Sequence, residues 1–284
     1  MPLPRASIPI PSPLAAFYAK FPLVELPGPT DTAGTLPPQT PFRAKIWALG
    51  PPPAGHAESL DPLCRAAQAY ARFAFGGAET RWLAWENRNS SPEGQLPALH
   101  TPNGDLLTGE ELDAWIASHL TSKNDASAEP MHQAYLALTM SALLPALLAA
   151  LYLSPATVGP AVVPDAARPF LSQLAHVYLS WNDRSTRIEE IKRLRGGKSS
   201  PAVPLDLEHV EREAVEAIEA LEVKMQAASG AKWFDGASGP ARFDALLYAI
   251  LSIVRILPRA CDDALRPALE RSPALSAWVK QHEP

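Results

Sequence analysis

Cys64 is the residue of this chain whose type and position come closest to a nucleophilic site. It lies in the first turn of a helix predicted by Asp61 and Pro62, an N-cap residue followed by proline at the first helical position. At a helix start the dipole favours a thiolate over a thiol. The other cysteine, Cys261, is distant in sequence and forms no CxxC pair with it. Two interpretations stay open, a reactive thiol and a small buried residue, and the sequence favours the second.

An anion site is the second chemistry that the sequence raises, at the helix after a predicted hairpin at Asn103-Gly104. Thr108 and Glu111 fit a capping box, in which both side chains occupy free N–H groups of that helix. Glu110 and Glu111 also place two carboxylates in its first turn. Like charge at a few ångströms costs an incoming carboxylate about 1 kcal/mol even in high dielectric. The sequence therefore predicts a poor anion receptor.

A basic segment at residues 184–198 is the third candidate, as a contact for an acidic partner surface or for lipid headgroups. Glu189 and Glu190 balance part of its charge, so a solvated helix and loop remain the alternative. The candidate contact residues are Arg184, Arg187, Lys192, Arg193 and Arg195.

Composition excludes several other classes of protein. A formal charge of −5 and a pI near 5.8 argue against a nucleic-acid binder. Two cysteines far apart cannot form a disulfide framework, and the seven histidines show no metal-ligand spacing. This spacing predicts no metal site, and the interpretations of Cys64 and of the anion site predict no catalytic residues and no cofactor.

Residues 43–120 contain the elements that would position these side chains. A strand ending at Gly50 is followed by the helix after Asp61 and by an aromatic-rich strand at residues 80–86. A strand containing Pro97, the hairpin and a return strand then lead into the helix after Thr108. The order β-α-β-β-β-α is that of the thioredoxin-like half of a glutathione-transferase-type protein. In that fold the bond before the corresponding proline is cis.

The rest of the chain divides by composition. Residues 1–42 hold 11 of the 31 prolines and form a proline-rich N-terminal extension. Residues 43–120 are the thioredoxin-like domain, 121–128 a small polar linker, and 129–284 an all-helical domain. The predicted fold class is therefore α/β plus all-α, like that of glutathione transferases. Within the last domain, Asp206 is predicted to cap a helix, and residues 243–254 to form its core helix.

The uncharged segment Ala134 to Leu153 is long enough to span a bilayer. Pro145, Thr139 and Ser141 and the high alanine content favour instead a helix buried in protein or against a partner. An integral membrane protein remains an alternative at this stage.

Two stretches of the sequence resemble the metaxin family. Asp61 to Phe73 looks like the first-helix signature of metaxins, and Gly94 to Ile116 is similar to their strand, hairpin and helix unit. Within the family, the resemblance is greatest to the fungal metaxin-like peripheral subunits of the mitochondrial sorting and assembly machinery (SAM complex). It is strongest over residues 43–120, and the helical half agrees in layout more than in motif. One departure is Ala241, three residues before Asp244, where transferase-like domains usually carry serine or threonine.

The resemblance implies a non-enzymatic protein on the cytosolic face of the mitochondrial outer membrane, bound peripherally. Its implied partners are the membrane-embedded β-barrel subunit of the SAM complex, a second metaxin-like subunit, β-barrel precursor proteins and the outer-membrane surface. Its implied role is to recognise the β-signal of these precursors and to assist their insertion. The alternative from another class is a divergent glutathione transferase or thiol oxidoreductase that uses Cys64.

Overall fold

The structure is a computed structural model of the whole chain. It describes residues 44–50, 56–84, 96–120, 130–153, 184–196, 205–228, 231–234, 237, 239–257 and 264–284. The predicted extension 1–42, the linker 121–128 and the second cysteine, Cys261, lie outside these residues.

The first half of the described chain forms a four-stranded sheet with one helix crossover and one closing helix. The strand order is β2-β1-β3-β4, with β1 parallel to β2 and antiparallel to β3. This is the predicted β-α-β-β-β-α arrangement. Its elements are β1 (Lys45–Gly50), α1 (Pro62–Phe75), β2 (Glu79–Ala84), β3 (Ala98–His100), β4 (Leu106–Thr108) and α2 (Gly109–Ser118).

The ends of α1 follow the sequence signals closely. The Asp61 side chain accepts a hydrogen bond from the Cys64 N–H at 3.0 Å, as an N-cap does. Gly76 ends the helix at φ 86°, a left-handed conformation that glycine adopts without a Cβ penalty. The Leu96–Pro97 peptide bond is cis, as the fold predicted.

The hairpin and the start of α2 differ in detail from the prediction. His100 pairs with Leu106, so the connection is the longer loop 101–105 instead of a two-residue turn. Inside it, the Thr101 hydroxyl accepts from the Asp105 N–H at 3.0 Å and stabilises the wider loop. Thr108 precedes α2 but makes no side-chain cap hydrogen bond, so the predicted capping box does not form.

The second half of the described chain is helical. Its helices are α3 (Pro130–Leu138), a π-helical segment (Thr139–Leu143), α4 (Leu144–Tyr152), α5 (residues 184–194), α6 (Leu207–Ala227), α7 (Arg242–Ile256), α8 (Leu265–Glu270) and α9 (Pro273–Gln281). Asp206 caps α6 by accepting from the His209 N–H at 3.1 Å, as predicted. The helix α7 is buried along most of its length and is the centre of the core.

The uncharged helix from α3 to α4 has two different halves. Every residue from Ala142 to Ala149 is buried, whereas Met131 is 50% exposed and Ala134 and Ala137 are exposed. Within Pro130–Tyr152 the most apolar 18 residues have a mean hydropathy of 1.9, and 56% of that stretch is buried. Its length and composition are those of a helix that could span a membrane, and the core helices of soluble proteins share both properties.

A buried polar cluster joins α1 to α7. Arg65 donates to the Ser252 hydroxyl at 2.8 Å, and the Tyr248 hydroxyl donates to Glu58 at 3.1 Å. Arg72 forms an ion pair with the same Glu58 carboxylate at 2.9 Å. Burial, together with Glu58, raises the pKa of Tyr248 to about 12, so the phenol keeps its proton for this hydrogen bond. These bonds fix α1 against the helical core.

Candidate functional site

The start of α1 is where a thiol-binding site would lie in this fold, because the end of β1 and the first turn of α1 meet there. We call this space the α1 cleft. Its cavity is about 20 Å³, whereas pockets for small molecules usually measure about 300–1,000 Å³. The space is therefore large enough for about one water molecule. It is lined by Leu49, Asp61, Pro62, Leu63, Leu96, Leu144, Leu148, Arg187 and Glu190.

Both candidate nucleophiles at the cleft are buried and engaged in the fold. The Cys64 side chain is 0% exposed, so the thiol does not reach the cleft surface. Ser59, which the sequence analysis did not single out, lies beside it and is also fully buried. Its hydroxyl donates to the Leu49 carbonyl at 2.6 Å and accepts from the Asp61 N–H at 3.1 Å. The geometry thus favours the interpretation of Cys64 as a small buried residue.

Arg187 closes the cleft from the helical side. Its guanidinium lies 4.3 Å from the centre of the Tyr152 ring and donates to the Tyr152 hydroxyl at 3.1 Å. It also forms ion pairs with Glu190 at 2.6 Å and with Asp61 at 3.7 Å. Because its side chain is only 2% exposed, Arg187 is a correction to the predicted contact residues: it stabilises the interior instead of facing a partner.

The other four basic residues lie nearer the surface of α5 or just after it. Arg184 and Arg193 are exposed, while Lys192 pairs with Glu189 at 3.3 Å. Arg195 pairs with Glu213 of α6 at 2.7 Å. A role of these four side chains in partner or lipid contact stays a prediction.

The structure at α2 retains one of the two features from which the sequence predicted a poor anion receptor. Glu110 and Glu111 are exposed in its first turn, where their charge opposes binding of an anion at the helix start. The other feature is absent, because the Thr108 side chain makes no capping hydrogen bond to the N–H groups of the first turn. Among the residues that the structure describes, no group of three or more potential metal ligands is found.

A second internal cavity lies behind Pro97 and Gly109. It measures about 150 Å³ and is bounded by apolar side chains of α1, α2 and α7 together with Met140. At its edge, Arg242 pairs with Asp113 at 2.9 Å across the boundary between the two halves. Burial raises the pKa of Asp113 to about 6, because it outweighs the favourable charge of Arg242.

The unusual Ala241 leaves half of a capping box intact. The Asp244 carboxylate accepts from the Ala241 N–H at 2.7 Å and from the Phe234 N–H at 2.9 Å. The methyl group of Ala241 cannot accept a hydrogen bond in return. Burial raises the pKa of Asp244 to about 7, and the two N–H donors oppose that rise.

Sequence reasoning missed Ser59 and the burial of Arg187 for one reason. Both depend on contacts between different elements of the fold, since Arg187 meets Tyr152 and Asp61 far along the chain and Ser59 meets Leu49 at the end of β1. Periodicity on α5 gave a weak signal, since Arg187 lies on the same face as the buried Ile191.

Comparison with protein families gives one match. Residues 64–185 match the Tom37 family, whose description is outer mitochondrial membrane transport complex protein. The match confirms the metaxin-like resemblance and the predicted location at the mitochondrial outer membrane. No curated protein matches the chain.

Solved structures that resemble this chain are glutathione transferases. The glutathione S-transferase of Ceriporiopsis subvermispora, solved with glutathione, superposes with a TM-score of 0.56 at 14% identity, over 85% of this chain and 98% of that one. A glutathione transferase of Phanerochaete chrysosporium gives a TM-score of 0.52 at 10% identity, over 86% and 99%. At such low identity the likeness concerns the fold alone, and it confirms the predicted fold class.

Proposed function

We propose, from the match of residues 64–185 to the Tom37 family, that this chain is a metaxin-like protein and a non-enzymatic subunit of the SAM complex. In this role it helps to recognise the β-signal of β-barrel precursors and assists their insertion into the outer membrane. The family description, an outer mitochondrial membrane transport complex protein, supports the assembly role.

The closed α1 cleft is the observation that carries the non-enzymatic part of the proposal. A transferase must hold a thiolate beside the start of α1, and here that space holds about 20 Å³. Leu144 and Leu148 fill it from one side and Arg187 from another. Opening the cleft would break the buried ion pairs of Arg187. Loss of one partner from such a pair costs about 3–5 kcal/mol in free energy of unfolding.

We propose four classes of partner for this subunit. They are the membrane-embedded β-barrel subunit, a second metaxin-like subunit, the β-barrel precursors and the outer-membrane surface on the cytosolic side. Arg184 and Arg193 are exposed and suit contact with acidic groups, and Lys192 and Arg195 are their partly buried neighbours. In the same proposal, residues 1–42 are an extension, 43–120 and 129–284 the two domains, and 121–128 their linker.

Affinity purification tests the proposal directly. The tagged chain is expressed in cells, their mitochondria are isolated and extracted in mild detergent, and the proteins that purify with the chain are identified and quantified. We expect an outer-membrane β-barrel assembly protein in stoichiometric amount. Charge reversal by Arg184→Glu with Arg193→Glu should lower that recovery if these residues contact a partner. Arg271→Glu with Lys280→Glu, two exposed positions elsewhere, makes the same change in charge and is the matched control. A chain that purifies alone and binds immobilised glutathione would overturn the proposal.

A divergent transferase or thiol oxidoreductase is the second candidate, favoured by the glutathione transferase fold. It requires a Cys64 thiol that reacts in the folded protein. In a Cys261→Ser background, Cys64 is the only thiol, so Ellman's reagent reports on it alone. Because Cys64 is 0% exposed, we expect no reaction until denaturant is added. Rapid reaction of the native protein would favour the second candidate.

A further inference from the structure

An open groove lies between the π-helical segment and α6, away from the α1 cleft. It measures about 470 Å³, and we call it the π groove. Ala142 on one side and Ala217 and Ala220 on the other leave it deep, because their side chains are small. Leu138 and Ser141 form the wall on the α3 side. π-helical turns are rare and occur often at functional sites, which makes this groove a candidate for binding.

Apolar surface continues from the groove along both helices. On α3, Met131 lies seven residues before Leu138 and therefore shares its face, and Met131 is 50% exposed. On α6, Val223 lies three residues after Ala220 and is 69% exposed. Met131 and Val223 are two of the exposed large apolar side chains of the described residues. An apolar strip of this kind matches the apolar face of a partner helix.

The other wall of the groove is charged. Glu213, Glu216 and Arg195 line it, and α6 as a whole contains six glutamates against one arginine and one lysine. Glu222 is used inside the fold, where it accepts from the Ala274 and Leu275 N–H groups. Glu213 is paired with Arg195 at 2.7 Å. Glu216 is exposed and has no ion pair within the described part of the chain.

The carboxylates make a protein partner a better fit than a membrane. Hydrocarbon pressed against the apolar strip would also desolvate Glu213 and Glu216, which lie in the same groove. A helix with an apolar stripe and flanking lysines or arginines satisfies both walls at once. We propose that the π groove binds a basic amphipathic helix of a partner protein. This inference names a partner class for the assembly subunit and rests on the proposed function.

A fluorescent leucine–lysine amphipathic peptide of about 18 residues is the probe, long enough for about five helical turns. Its binding to the full chain is measured by fluorescence anisotropy. We expect Glu216→Lys, which reverses a groove charge, and Ala220→Phe, which fills the groove at an exposed position, each to weaken binding by at least about tenfold. Binding should also weaken as salt increases.

Glu211→Lys is the matched control, because it makes the same charge change on the same helix. Glu211 is five residues from Glu216, so it faces about 140° away from it. This variant should bind the peptide within about twofold of the wild-type chain. Circular dichroism of each variant verifies that the helices remain folded.

Three results would overturn the inference. They are no peptide binding, equal loss of binding in Glu211→Lys, or equal binding of a leucine–glutamate peptide. Adsorption of the chain to anionic vesicles through Met131 and Val223, with no peptide binding, would replace the helix by a lipid surface. If the β-barrel protein is recovered but the peptide does not bind, the groove assignment fails and the assembly role stands. If the peptide binds but the β-barrel protein is not recovered, the groove assignment stands and the assembly role fails.

Discussion

The α1 cleft and the π groove are both cavities bordered by helices of the second half of the chain. They differ in what fills them. Leucines and the guanidinium of Arg187 reduce the α1 cleft to about 20 Å³, whereas alanines leave the π groove at about 470 Å³. The charged groups differ as well. Arg187 of the cleft forms ion pairs with Asp61 and Glu190 inside the protein, whereas Glu216 of the groove faces solvent. The comparison indicates a fold whose interior site contributes to stability and whose outer surface remains available for binding.

Arg187→Ala opens the α1 cleft and should have the largest effect on the free energy of unfolding. The substitution leaves the Asp61 and Glu190 carboxylates without their common guanidinium. Loss of one partner from a buried ion pair costs about 3–5 kcal/mol in free energy of unfolding. Urea unfolding of the full chain measures this cost. Arg184→Ala, on the exposed face of the same helix, should change it by less than about 0.5 kcal/mol. Equal costs for the two variants would show that Arg187 does not hold the cleft closed.

Asp113→Asn tests the second cavity, beside Pro97, and should have a smaller effect on the free energy of unfolding. The pKa of Asp113 is about 6 in the fold against an ordinary 3.8, so the folded chain holds this proton more tightly than the unfolded chain. Its contribution to stability is complete below about pH 4 and is lost as the pH rises through about 6. The slope is at most about 1.4 kcal/mol per pH unit.

The measurement is the difference in free energy of unfolding between the wild-type chain and Asp113→Asn from pH 4 to pH 7. The advantage of the wild-type chain should fall between pH 4 and 6 and level off by pH 7. Other titrating groups cancel in this difference. A difference that rises with pH would mean that Arg242 controls the ionisation of Asp113, with burial the smaller factor.

Glu216→Gln tests the open side and should have the smallest effect on stability. The side chain is exposed, and such substitutions change the free energy of unfolding by about 0.5 kcal/mol or less. Thermal unfolding of the variant should therefore match that of the wild-type chain. A large destabilisation would show that Glu216 serves the fold, which would weaken the contrast between groove and cleft.

Local signals in the sequence were sufficient for much of the fold. Asp61 and Gly76 mark the ends of α1, and Asp206 marks the start of α6, because capping depends on residues within one helical turn. The capping box at Thr108 was the exception. There Thr108 is the last residue of β4 and pairs with Ala98, and the pattern of residue types does not contain that pairing.

The sequence by itself determined the order of strands and helices and the buried centre at α7. Each of these follows from residue type and spacing along a short segment. Only the tertiary structure decided that Arg187 lies inside, that Ser59 is engaged with Leu49, and that α6 and the π-helical segment enclose a groove. These features arise where segments distant in sequence meet, and burial of a charge or the width of a groove depends on both sides of such a contact.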